Sequence, residues 1–249
     1  MNIQNQFNKN NSSTQAPKQI EEITLTIGIK NLSPNMVSAE FLQMSGITPG
    51  DWEVAQQPIV TPNGSQITYK SGVKIIVQPG VINFVEGLGT KSISDLSFAK
   101  VAIRYIEKFS NAEYQGLSIA PKIIAPLSGD ETAGKRFINE QLLKTGGWSH
   151  FQGMEPQAAV NLFYQLQGYT LAVNINPARL QQANNMVIPA VLFAGNFTYR
   201  FDGLQGGVST LQGLMDRING WEDNLNTFRV LVNEQFLHQA ISYPQSLFN

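Results

Sequence analysis

"FVEGLG", Phe84 to Gly89, returns in altered form as "RFDGLQG", Arg200 to Gly206. In each, a strand-like run meets an acid, a glycine and a leucine, and a helical pattern follows. The fold expected from this sequence turns on whether the two stretches are one unit used twice.

Working outward from the first, "EITLTIGIK" (Glu22–Lys30) sets Ile23, Leu25, Ile27 and Ile29 on one face, the mark of a half-buried strand. "LSPNMVSAEFLQMSG" reads as a short helix, with Ser33 as N-cap, Pro34 at its first position and Gly46 closing it. Strand-like runs follow in "DWEVAQQPIV", "SQITYK" and "VKIIVQPGVINFVEG", the last broken at Gly80. A helix then carries Phe98, Val101, Ala102, Tyr105, Ile106 and Phe109 on one side.

Around the second stretch the order repeats. "YQGLSIAPKIIAP" is a strand whose Pro121 points to an edge position or a bulge. "GDETAGKRFINEQLLKTGG" is a helix ending before Gly146, with Asp130 and Glu131 at its positive end. A hairpin pivots about Gly168, and a long strand region from Val187 breaks at Gly195. Ser209 then opens a helix of roughly thirty residues, striped by Leu211, Leu214, Met215, Ile218, Trp221, Leu225, Phe228, Val232 and Phe236. Each short helix is soon followed by a Trp, Trp52 and Trp148. The expectation is an α+β fold of two pseudo-repeated strand-helix-strands-helix halves, with an antiparallel or mixed sheet, helices on one face and a long C-terminal helix. The boundaries expected are a disordered or partner-docked tail at 1–19, a first half at 20–112, a second at 113–240, and a C-terminal tail at 241–249.

Composition narrows the chemistry. Among 249 residues only 14% are charged, while Asn and Gln number about 44 and outnumber the charged residues. With Lys+Arg 17 against Asp+Glu 18, the net charge is −1. Such a neutral, amide-rich surface hydrogen-bonds without electrostatic steering and favours self-association or a permanent partner. The absence of Cys excludes disulfides, thiolate metal sites and Cys nucleophiles. The N-terminal stretch has no signal-peptide pattern and no run is apolar enough to span a bilayer, so a cytoplasmic protein without a membrane partner is expected.

No motif assembles a reaction centre. "EGLGTKS" (Glu86–Ser92) has the wrong spacing for a phosphate loop and lacks the third glycine of a dinucleotide fingerprint; it reads as a strand-to-helix loop capped by Ser94 or Asp95. Ser149 and His150 are adjacent in sequence, a spacing that rarely gives nucleophile–base geometry. Two His, the second being His238, provide no zinc-like cluster. The acid pairs Glu21-Glu22, Asp130-Glu131 and Glu222-Asp223 read as strand-opening, helix-opening and solvent-facing residues. Arg104 and Lys108, and the basic residues of "GKRFINEQLLK", form ordinary amphipathic faces and argue against nucleic acid. A weaker reading puts single-stranded nucleic acid on Tyr199 and Phe201. Trp52 and Trp148 are expected in the core.

The segment "PGVINFVE…FAKVAIRYIEKFSNAEYQGLSIAPKI", with the later "VLFAGNFTYRFDG", resembles parts of small uncharacterised bacterial α+β proteins. The resemblance implies an α+β fold and a bacterial origin, and no activity. The sequence thus assigns no catalytic, cofactor-binding or metal-binding residue and no cofactor. It favours a non-catalytic interaction or assembly protein, a homo-oligomer or a subunit of a larger complex, whose partner is itself or another protein. The alternative is a small-molecule binder or hydrolase with a pocket between the halves.

Overall fold

The computed structural model describes residues 19–181, 186–200 and 208–237. Residues 1–18 of the expected N-terminal tail, the acid-Gly-Leu echo at 202–204, Phe201, His238 and the C-terminal tail lie outside the described residues.

Nine strands form one sheet: β1 (Ile20–Ile29), β2 (Ile59–Thr61), β3 (Gly64–Thr68), β4 (Val73–Gln78), β5 (Val81–Gly87), β6 (Tyr114–Pro126), β7 (Val160–Leu166), β8 (Tyr169–Gln181) and β9 (Val187–Arg200). Their order is β2-β3-β4-β5-β1-β6-β9-β8-β7, and every neighbouring pair is antiparallel. This corrects the expected fold of two strand–helix halves with helices on one face: 40% of the described residues are strand against 30% helix, in a single sheet. The reason lies in β1. Its alternating apolar residues suit a strand with neighbours on both sides, and it pairs with β5 along one edge and β6 along the other. The ladder therefore runs without a seam through the point where two halves were expected to meet.

The helices are also shorter than their patterns imply. They are α1 (Ala39–Met44), α2 (Phe98–Lys108), α3 (Ala133–Arg136), α4 (Val208–Asn219) and α5 (Trp221–Val230). Around Ser33 only a 3-10 turn forms, and α1 starts after Ser38, whose hydroxyl accepts the Phe41 N–H at 3.1 Å. The helix expected before Gly146 is the single turn α3 followed by a π-helical segment, Phe137–Leu142, after which Leu143 is extended. The expected long C-terminal helix breaks at Gly220 and ends in a second π-helical segment, Leu231–Leu237.

The core gathers the inward side chains of the strands: Ile23, Leu25 and Ile27 on β1, Ile119 and Ile123 on β6, Phe193 and Phe197 on β9. Against them lie α2 and the C-terminal helices, where Trp221 meets Phe98 edge-on at 4.9 Å and Leu225 and Phe228 are fully buried. Gly195 does not break its strand. β9 runs through it, and the Phe228 ring occupies the space where a Cβ would stand. Nor is Pro121 at an edge: β6 is central, and the proline sits where the β6–β9 pairing lapses between Ile119 and Lys122.

Candidate functional site

A sheet that does not close has two margins, each with a row of backbone groups that lack a strand partner. Among the described residues they are β2 and β7. They are built differently.

β2 is three residues long and lies between Pro58 and Pro62. Brevity and flanking prolines both oppose the addition of another strand. β7, "VNLFYQL", has seven residues and carries neither proline nor charge. From Pro156 to Ala178, a stretch that includes all of β7 and most of β8, no residue bears a formal charge. The hairpin closes at Gln167-Gly168, with Gly168 at φ 88°, and its register pairs Leu166 with Tyr169 and Phe163 with Ala172. Alternation directs Leu162 and Tyr164 to the same side as the core-facing Val173 and Leu171, and places Phe163 on the opposite, uncovered face. Phe163 is 70% exposed, and Tyr164 and Leu166 are also exposed.

The loop that precedes β7 in the chain also exposes apolar side chains. Trp148 is 44% exposed, Phe151 75% and Met154 72%. Phe151 and Met154 face each other through reciprocal main-chain bonds of 2.9 and 3.0 Å. The loop is anchored behind them: Lys135 pairs with Glu155 at 2.9 Å, and Asn139 donates to the Pro156 carbonyl at 2.9 Å. The hydrogen bond from Lys135 holds the Glu155 carboxyl below its ordinary range. Six large apolar side chains, three on the loop and three on β7, thus stand in solvent within one continuous stretch of chain.

The residues weighed for chemistry are spread over the molecule. Ser149 uses its hydroxyl to accept the Gly146 N–H at 3.0 Å, and the exposed His150 lies 3.7 Å from Glu155. Glu21 and Glu22 are adjacent on a strand, so they point to opposite faces: Glu21 pairs with Arg229 at 2.5 Å, and Glu22 with Lys122 at 2.7 Å. Asp130 is held down to about 2 by the Thr132 hydroxyl and then by Arg136, while Glu131 pairs with Arg179 at 3.3 Å. Glu222 and Asp223 are exposed, as are Arg104 and Lys108. Among the described residues no three His, Asp or Glu gather into a metal-binding group, and no helix is long and apolar enough to cross a membrane.

Two aromatic expectations are corrected. Trp52 packs on Tyr69 at 5.2 Å, but Trp148 is exposed. Tyr199, proposed as a base-stacking surface, is 6% exposed and its hydroxyl accepts from Asn224 at 2.7 Å. Burial raises its pKa.

The uncovered sheet face bears small and amide side chains. Across β5, β1, β6 and β9 a row reads Asn83, Thr26, Ser118 and Thr198, and Thr26 donates to Asn83 at 2.7 Å. Beside it the Gly28–Gly116 pair leaves a shallow furrow of about 510 Å³, in which the buried Asn196 Oδ1 has no hydrogen-bond partner.

No protein-family model matches this chain, and no curated protein matches it.

The sequence reading missed the β7 margin. The hairpin about Gly168 was legible, but its outer strand was not recognised as a sheet edge; the stripe of the C-terminal helices is spent on the core. The available signal was a seven-residue strand free of proline within an uncharged run, against a short run between Pro58 and Pro62.

Proposed function

We propose that this protein is a non-catalytic assembly subunit that joins its partner through the β7 margin. The observation that carries the reading is the contrast between the two sheet edges: both are uncharged, but β2 is three residues long and flanked by prolines, while β7 is seven residues long and free of proline. Edges of the second kind add strands readily, and solitary proteins ordinarily blunt them. The low overall charge supports the same reading, because little repulsion opposes the approach of a neutral partner.

Native mass spectrometry of the protein isolated gently from its source cells tests this. The expected result is a multiple of the 27.5 kDa subunit mass, or a constant added protein mass. A lone subunit with no partner recovered would overturn the reading. A second reading, favoured by the unpartnered Asn196 Oδ1, is a neutral polar ligand in the Gly28–Gly116 furrow. It predicts a lone subunit carrying a small added mass that Asn196→Ala abolishes.

A further inference from the structure

We infer that the partner on β7 is a second copy of this chain, paired antiparallel about a two-fold axis through Phe163. The inference rests on the assembly reading above and specifies its partner.

The argument is one of self-complementarity. An isologous contact sets a surface against itself, so a strand can form one only if its sequence matches its own reverse in chemistry. β7 does so about Phe163. Antiparallel pairing centred there sets Phe163 against Phe163 of the second copy, Leu162 against Tyr164, Asn161 against Gln165 and Val160 against Leu166. Apolar residues meet apolar residues, amide meets amide, and no charge is buried. The match holds whichever alternate set of backbone groups points outward, because Phe163 lies on the axis in either case.

The remaining features agree. Seven residues on each side supply about six to eight main-chain hydrogen bonds, close to the number in an ordinary stable interface. A head-to-tail contact of β7 with β2 of another copy would build an open fibre, and the short, proline-flanked β2 offers only three residues for it. The two-fold pairing instead closes after two copies and joins two nine-stranded sheets into one of eighteen strands.

The chain has no cysteine, so introduced thiols report cleanly. Under mild oxidation, Phe163→Cys is expected to give a covalent dimer. Asn161→Cys alone is expected to give none, because its copies stand about 13 Å apart along the strands. Asn161→Cys mixed with Gln165→Cys, which keeps Phe163, is expected to crosslink. In parallel, sedimentation velocity should show wild type as a dimer and Phe163→Lys as a monomer with an unchanged circular-dichroism spectrum, since two like charges then meet on the axis. If wild type is a dimer but none of these thiols crosslink and Phe163→Lys remains a dimer, the β7 pairing is overturned and the assembly reading survives on another surface. A monomeric wild type that recovers a different protein from its source cells also overturns the pairing alone. A monomeric wild type that recovers none overturns both.

Discussion

Glu86 occupies the first of the two acid-Gly-Leu stretches, and its carboxylate is almost fully buried. It accepts the N–H groups of Ser97 and Phe98 at 2.7 and 3.0 Å and pairs with Lys91 at 2.5 Å. An anion at this point satisfies amides left open at the start of α2 and meets the positive end of its dipole. Glu86→Ala therefore orphans two donors and a half-buried cation, and a loss of about 1.5–3 kcal/mol is expected from urea denaturation. Two glycines should respond with opposite signs. Gly195→Ala drives a Cβ to within 2.7 Å of the Phe228 ring and should cost about 1–3 kcal/mol. Gly213→Ala, in α4 with open space around it, should stabilise by about 0.5–1 kcal/mol. At this scale the sequence was half legible. Asp95, expected with Ser94 to cap the following helix, instead ends a 3-10 turn and accepts the Ser92 N–H at 3.0 Å, while Glu86 takes the open amides of α2. The role of Glu86, and the reason for glycine at Gly195, depend on partners far along the chain that local spacing does not reveal.

Among the elements, α2 shows how a legible stripe becomes a pH response. Tyr105 packs between Phe84 and Phe109, at 5.9 and 4.8 Å, and burial pushes its phenol up to about 12. Burial raises Tyr114 as well; it donates to the Phe109 carbonyl at 2.9 Å just beyond the helix. In the unfolded chain these phenols ionise near 10. Their contribution to stability is thus fully present below pH 10 and is lost as pH rises through the folded value of about 12. Tyr105→Phe should leave the urea midpoint at pH 7 nearly unchanged and make its fall between pH 10 and pH 12 shallower. The periodicity of α2 and the alternation of β1 were plain in the sequence because each element has one buried face. The π-helical turns were not, since a stripe at helical spacing does not show where backbone bonding shifts register. β7 was legible as a strand and not as a margin, because its neighbours depend on the order of the whole sheet.

For the whole molecule, the governing fact is that β1 and β6 pair at the centre of one sheet. Punctuation in the sequence separated two runs of strands, but a turn residue marks where a strand ends and not which strand it joins. Once all nine strands share a ladder, two edges remain among the described residues, and the longer one, free of flanking prolines, sets the functional account. Hydrogen exchange of the intact protein, measured from sub-micromolar to high micromolar concentration, tests that account most directly. Peptides covering Val160–Leu166 should gain protection as concentration rises, while those covering Ile59–Thr61 keep a constant rate. Exchange in β7 that stays fast at every concentration, or protection that appears elsewhere instead, would contradict it.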